Sequence, residues 1–553
     1  MSNSSKITVF TARKIHTMEP ALPEATAIAV RDGRILEVGT LETLQPWLDL
    51  HDYERDDQFA DKVLLPGFID PHLHPTMAAV LLPMYFITAM EWKLPWETVK
   101  PVQSRQAYLS RLKEIEAGME DPDEPLFAWG YHRNWHGEIT RNDLDGISAT
   151  RPVIAWHRSF HEVIVNSATL KWVGLDAENI GDNPQVDLPN GRFYEMGLRV
   201  IVNNFMGYLL APDRYAQGLK RMRDVVHFGG HTTIGDMATG LFYLDMEWEM
   251  TKSVLDNDET PFRVDLIPDG NSLAGVERKN EDALALIKSL PERNTHRLRF
   301  GDHVKLFTDG AFFSQLMQLN EPGYIDGHHG EWIMVPEQFE DAARAYWNEG
   351  YKIHVHCTGD LGLELALDVL EKLQWERPRF GHRYTIEHFG LSTPEQCRRL
   401  KELGGQVSAN VYYLYELGAV YAREGLGHER ASQMARLGSL ARAGVPTALH
   451  SDYTMAPALP LNSAWVAANR INAEGEVMAE AEKLTLDQAL RAITIDAAYI
   501  LGRESEIGSL RAGKMADFAV LEADPYEWGA ERLKDVPVWG TVFEGKPYKA
   551  NRP

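Results

Sequence analysis

Leu64-Leu65-Pro66-Gly67-Phe68-Ile69-Asp70-Pro71-His72-Leu73-His74 runs from an apolar segment into two histidines one residue apart. Side chains alternate faces along an extended strand, so His72 and His74 point the same way. Two imidazoles on one face at a strand end can chelate one metal ion. Taken alone, the pair suits two ordinary polar strand-end residues equally well. The choice between these readings falls to ligands elsewhere in the chain.

Downstream of this stretch, β-like runs alternate with helical ones. Val63–Ile69, Thr232–Asp236, Phe262–Ile267, Val304–Phe307, Lys352–His356, Tyr384–Glu387, Gln406–Asn410 and Pro446–Leu449 read as strands. Glu337–Glu349, Leu361–Leu373 and Pro394–Leu403 read as helices between them. Eight strand–helix alternations predict an α/β fold, a (β/α)8 TIM-like barrel, with an open doubly wound sheet as the alternative. The roughly 160 residues between Ile69 and Thr232 are far too many for one crossover. They predict an insertion after the first strand, residues 83–223, rich in Trp, Tyr, His and acidic residues, that lines or covers the site.

Both chain ends read as short strands: Ile7–Phe10, Ala27–Val30 and Arg34–Val38 at one, Phe518–Leu521 and Val536–Phe543 at the other. Arg31-Asp32-Gly33-Arg34 is a hairpin turn, and Glu544-Gly545-Lys546 another. The ends are expected to pair into a composite β-sandwich domain, residues 1–62 and 457–553, with the last barrel helices near 457–503. The barrel itself is expected over 63–82 and 224–456.

Several ionisable residues fall at or just past the strand ends. They are His72 and His74, Lys305, His354 and His356, His388, and Asp452. In a barrel such ends converge on one pocket. Imidazoles, a carboxylate and a lysine suit Zn²⁺ or a similar divalent transition ion. An ammonium cannot ligate a cation. Between Val304 and Leu306, however, desolvation would lower the Lys305 pKa, and a neutral amine can take up CO₂ as a carbamate that bridges two metals. The competing reading of Lys305 is a structural lysine paired with Asp309.

Bulk properties narrow the partners. The net charge of -24 over 553 residues argues against nucleic acid and anionic membranes, both of which call for basic patches. Cys357 and Cys397 make no disulfide framework, which suits a cytoplasmic protein. No apolar run approaches the roughly 18 residues of a membrane span, and the first residues lack a signal-peptide pattern.

These residues resemble the metal-dependent amidohydrolase superfamily, and more narrowly its YtcJ-like branch (amidohydrolase family 3), which includes N-substituted formamide deformylases. Pro66 to His74 is similar to the first-strand signature, and Val304 to Gly310 to the branch's lysine strand. His356-Cys357-Thr358-Gly359-Asp360 resembles its His-x-x-Gly-Asp motif, and Ile386-Glu387-His388 its next histidine. His450-Ser451-Asp452 resembles its Gly-Ser-Asp, with His450 in place of a small residue, which is expected to narrow the pocket. Gly508 to Leu521 resembles the terminal strand pair, and Arg151-Pro152-Val153 with His161 and Asn166-Ser167 the inserted segment.

The resemblance implies two metal ions per chain. His72, His74 and Asp452 would hold the more buried one, His356 and His388 the second, and carbamylated Lys305 would bridge. It favours His356 over His354 as the ligand. It implies hydrolysis of a C–N bond in a small amide-like molecule (an N-acyl or N-formyl amine, a urea or a cyclic amide) by a metal-activated water, with Asp452 as general base and then acid. An esterase or lactonase on the same site is the alternative, then a non-catalytic regulatory relative. His161, Asp309, Phe312, Trp129 and Tyr131 are the candidate substrate contacts, although most aromatics of the insert would equally pack its own core. The branch is often dimeric, so a homodimer is the expected assembly.

Overall fold

The computed structural model describes residues 6–160, 162–194, 197–275, 277 and 279–551. The chain divides into two compact units, one taking it up to His74 and from Arg223 onward, the other running from Pro75 to Met222.

In the first unit, both chain ends enter one seven-stranded sheet. Tyr53–Pro66 lies inside it, parallel to Ile7–His16 on one side and antiparallel to Phe518–Leu521 on the other. In the composite domain expected from sequence, the strands of both ends form a single hydrogen-bonded ladder. Residues from distant parts of that ladder, Val30 and Ile35 as well as Val520 and Val542, share one hydrophobic core. The sequence reading missed most of Tyr53–Pro66. Its first half carries Glu54, Arg55, Asp56 and Asp57, and its longest run of apolar residues is at the end, Val63 to Pro66. Asp32 and Gly33 turn with positive φ (53° and 74°), as a tight hairpin requires.

The predicted first strand, Val63–Ile69, is two strands. Its first half ends the long Tyr53–Pro66 strand. After Gly67 the chain begins β1, Phe68–Leu73, in a second sheet. Gly67 is required here: a Cβ would overlap the Thr232 side chain.

The remaining strands of the alternation are β2 (His231–Thr239), β3 (Arg263–Pro268), β4 (His303–Phe307), β5 (Lys352–Cys357), β6 (Thr385–His388), β7 (Gln406–Ala409) and β8 (Thr447–Leu449). They are parallel, as expected, but they form two ladders rather than one closed barrel. β1, β2 and β3 belong to one, with the short Leu298–Phe300 at its edge; β4 to β8 form the other. Backbone contacts join the ladders at both seams. An isolated parallel bridge pairs Asp269 with Lys305, and at the other seam the Asp452 amide donates to His72 O (3.0 Å) and the His74 amide to Tyr453 O (2.9 Å). The helices Pro336–Asn348, Asp360–Glu376 and Pro394–Glu402 fall where the apolar periodicity placed them.

The second unit carries a six-stranded sheet in which Leu126–Tyr131 and Val153–His157 are parallel neighbours. Tyr108, Leu112, Tyr131 and Ile164 lie in its core. Among the described residues, no helix is long and apolar enough to cross a membrane.

Candidate metal centre

β1 delivers His72 fully buried and His74 just beyond its end. Their rings meet edge-on, with centroids 5.1 Å apart, and both face the Asp452 carboxylate. His74 Nε2 lies 3.0 Å and His72 Nε2 3.6 Å from Asp452 Oδ1, while His388 Nδ1 lies 3.6 Å from Oδ2. Asp452 (φ 52°) and His388 (φ 70°) both adopt left-handed backbone conformations. Such strain in a residue that carries a side chain is concentrated at sites where function constrains the backbone.

Asp70 secures the seam beside them. Its buried carboxylate accepts from the Ser451 hydroxyl (2.5 Å), the Ser451 amide (3.2 Å) and the His72 amide (3.2 Å). This fixes the register of β1 against the segment that carries Asp452. Burial raises the Asp70 pKa to about 7.

His388 ends β6, and its ring lies 4.4 Å from that of His356 and 4.7 Å from that of His72. Lys305, in β4, is buried, and its Nζ makes no hydrogen bond. Desolvation lowers its pKa to about 8, partly offset by the charges of Glu387, Asp452 and Asp269. The site therefore gathers His72, His74, His356, His388 and Asp452, with Lys305 within electrostatic reach of His72 and His388.

Two residues of the cluster were not assigned from sequence as parts of the site. Glu387 is fully buried, accepting from His72 Nδ1 (2.7 Å) on one oxygen and from His354 Nδ1 (2.6 Å) on the other. His303 extends the network, its Nδ1 2.8 Å from His354 Nε2. His354 thus points into this buried network and supports the site through Glu387. A carboxylate in a fully buried strand beside a histidine was the available signal, since a buried charge needs partners. The second is His450, whose ring lies 4.4 Å from that of His72.

The donor chemistry fits a divalent transition ion. His72, His74 and Asp452 offer ligand atoms that all lie within 4.8 Å of one another, and so do His72, His388 and His450. His72 Nε2, His388 Nδ1 and His450 Nε2 are buried and make no hydrogen bond. Burial holds all three imidazoles well below the usual histidine range, so they are neutral and able to coordinate. With Nδ1 committed to Glu387, His72 presents only Nε2, the carboxylate–histidine arrangement that supports metal ligands.

The other predicted residues sit in packed surroundings. The Asp309 carboxylate is fully buried and accepts from the Gln318 (3.0 Å), Thr358 (3.0 Å) and Gly359 (2.8 Å) amides, organising the loops after β4 and β5. Its pairing is with these loops. Phe312 stacks on Tyr413 at 4.3 Å. In the second unit, Trp129 packs against Phe86 and Trp92, and the Tyr131 hydroxyl donates to Gly137 O (2.8 Å). His161 lies outside the described residues.

Parallel β/α ladders with a histidine–carboxylate cluster at the strand ends define the class: an α/β scaffold carrying a metal-type site. The chain matches the amidohydrolase family over residues 60–548 and belongs to it. It is 26% identical over 550 residues to the N-substituted formamide deformylase of Arthrobacter pascens, covering 96% of each chain. It is 24% identical over 557 residues to the putative amidohydrolase YtcJ of Bacillus subtilis, covering 96% of this chain and 97% of that one. A crystal structure of an uncharacterized metal-dependent hydrolase from Pyrococcus horikoshii shares the fold, with a TM-score of 0.73 at 21% identity, covering 94% of this chain and 98% of that one.

Proposed function

We propose that this chain is a metal-dependent hydrolase that cleaves a C–N bond in a small amide-like molecule: an N-formyl or N-acyl amine, a urea or a cyclic amide. Family membership supplies the reaction class, and the formamide deformylase relative supports the amide-like substrate. The observation that carries the reading is the convergence of His72, His74 and His388 on the one Asp452 carboxylate.

In this reading His72, His74, His356, His388 and Asp452 would hold the metal, with Zn²⁺ suited to their nitrogen and oxygen donors. Lys305, carbamylated by CO₂ with loss of a proton, would supply a further anionic oxygen ligand. A bound divalent ion supplies Lewis acidity and makes water a stronger acid.

The chain's own residues do the rest. Asp452 takes a proton from the attacking water and returns it to the departing nitrogen, which is a poor leaving group until protonated. Glu387 keeps the proton of His72 on Nδ1, so that Nε2 faces Asp452. Buried, neutral imidazoles bring no positive charge of their own to compete with a cation.

The test is a screen of metal-loaded protein on matched N-formyl amines, ureas, cyclic amides, esters and lactones. Turnover of the amide series above the ester series supports the reading. Ester or lactone hydrolysis with no amide turnover, or a protein that takes up no transition metal, overturns it.

A further inference from the structure

We propose that His450 is itself a metal ligand, joining His72 and His388 on the ion, a role that rests on the metal-dependent reading of this site. His450 Nδ1 is 2.6 Å from the Ser408 hydroxyl, and Nε2 is buried and makes no hydrogen bond. A buried polar atom without a partner calls for a specific explanation. One nitrogen each from His72, His388 and His450 lies within 4.8 Å of the others, and each of the three rings carries a buried nitrogen that makes no hydrogen bond. Small ring rotations bring that spread to the roughly 2 Å bonds of a zinc-type ion.

The fold aims the ring at this point. β6, β7 and β8 are in register through His388, Ala409 and Leu449, so His450 leaves β8 one residue past the row that carries His388. Its own amide donates to Ala409 O at 3.0 Å, and the Ser408 hydroxyl fixes the ring. A ligating histidine almost always donates its other ring N–H to a fixed acceptor, and the Ser408 hydroxyl oxygen stands in that place here.

One more neutral nitrogen shifts preference further toward Zn²⁺, Co²⁺, Ni²⁺ or Cu²⁺ and away from Mg²⁺ and Mn²⁺.

The test compares wild-type protein with His450→Asn, which leaves an amide near Ser408 and removes Nε2. Each is titrated with Co²⁺ and Zn²⁺ against a competing chelator, and the d–d absorption of the Co²⁺ forms is recorded. The expected result is an affinity loss of about 100-fold, the upper end of what losing even a supporting partner costs, with an altered Co²⁺ spectrum. Affinity within about twofold of wild type and an unchanged spectrum overturn the inference. Should the variant fold poorly, a crystal structure of the wild-type protein with Zn²⁺ decides. Nε2 of His450 at bonding distance supports the role, and a ring turned away from the ion ends it. Zinc bound and amides hydrolysed with His450 off the ion would sink this inference alone. No ion bound by the wild-type protein would sink the hydrolase reading with it.

Discussion

His72 Nδ1 donates to Glu387 Oε2 at 2.7 Å, and both side chains are fully buried. This bond places the proton on the ring nitrogen that faces away from Asp452. The second Glu387 oxygen accepts from His354, whose far nitrogen meets His303, so one carboxylate ties β1, β4, β5 and β6 together beneath the site.

Replacing Glu387 with Gln keeps the shape and removes the charge. The amide can no longer accept charge-assisted bonds from both histidines. Metal affinity should fall about 10- to 100-fold, as read by competition with a chelator. An unchanged affinity would show that the carboxylate is only packing.

Asp452 contacts His72, His74 and His388 and is the proposed proton carrier. Asp452→Asn should lower kcat by about 10²- to 10⁴-fold, with metal content measured in the same samples. If turnover stays near wild type, the base is elsewhere.

Removing the ion should lower the thermal midpoint, because binding to the folded state alone stabilises it. Restoring Zn²⁺ to 100 times its dissociation constant should return about 2.7 kcal/mol. A midpoint indifferent to chelator and zinc would argue against an ion held by these buried nitrogens.

Gly67 links the end sheet to β1 where Thr232 leaves no room for a Cβ. Gly67→Ala should cost about 1–3 kcal/mol by overpacking, measured by denaturant unfolding. A neutral result would mean that Thr232 can step aside.

Lys514 is buried, with its ammonium donating to Ile507 O and the Ser509 hydroxyl. Burial lowers its pKa from 10.5 to about 8, against the pull of Glu19. The folded state therefore loses this proton before the unfolded state does. The resulting penalty is full below about pH 8 and fades as pH rises to about 10.5, so Lys514→Met should be the more stable protein at neutral pH by up to about 3 kcal/mol. The gap should close as pH rises through that window. A pH-independent gap would mean that Lys514 keeps its ordinary titration.

Much of the candidate site was legible because its residues are punctuation at strand ends. His72, His74, His356, His388 and Asp452 each close or follow an apolar β-rich run, and Lys305 interrupts one. Glu387 was visible in the run Tyr384 to His388 but carried no role, since its partners His72 and His354 are far from it in sequence. His450 was visible as a departure from a pattern, but whether a bulky ring blocks a pocket or donates into it depends on where its Nε2 points. Tyr53–Pro66 was missed because its charged first half hides a central strand.

By itself the sequence determined the alternation of strands and helices, the pairing of the two chain ends, and the candidate ligands, because period, turn residues and apolar runs are local properties. Only the tertiary structure decided that the strands form two parallel ladders, that Gly67 separates two sheets, and that Glu387 and His450 belong to the histidine cluster. Those facts depend on distances between residues hundreds of positions apart, and no local pattern encodes them.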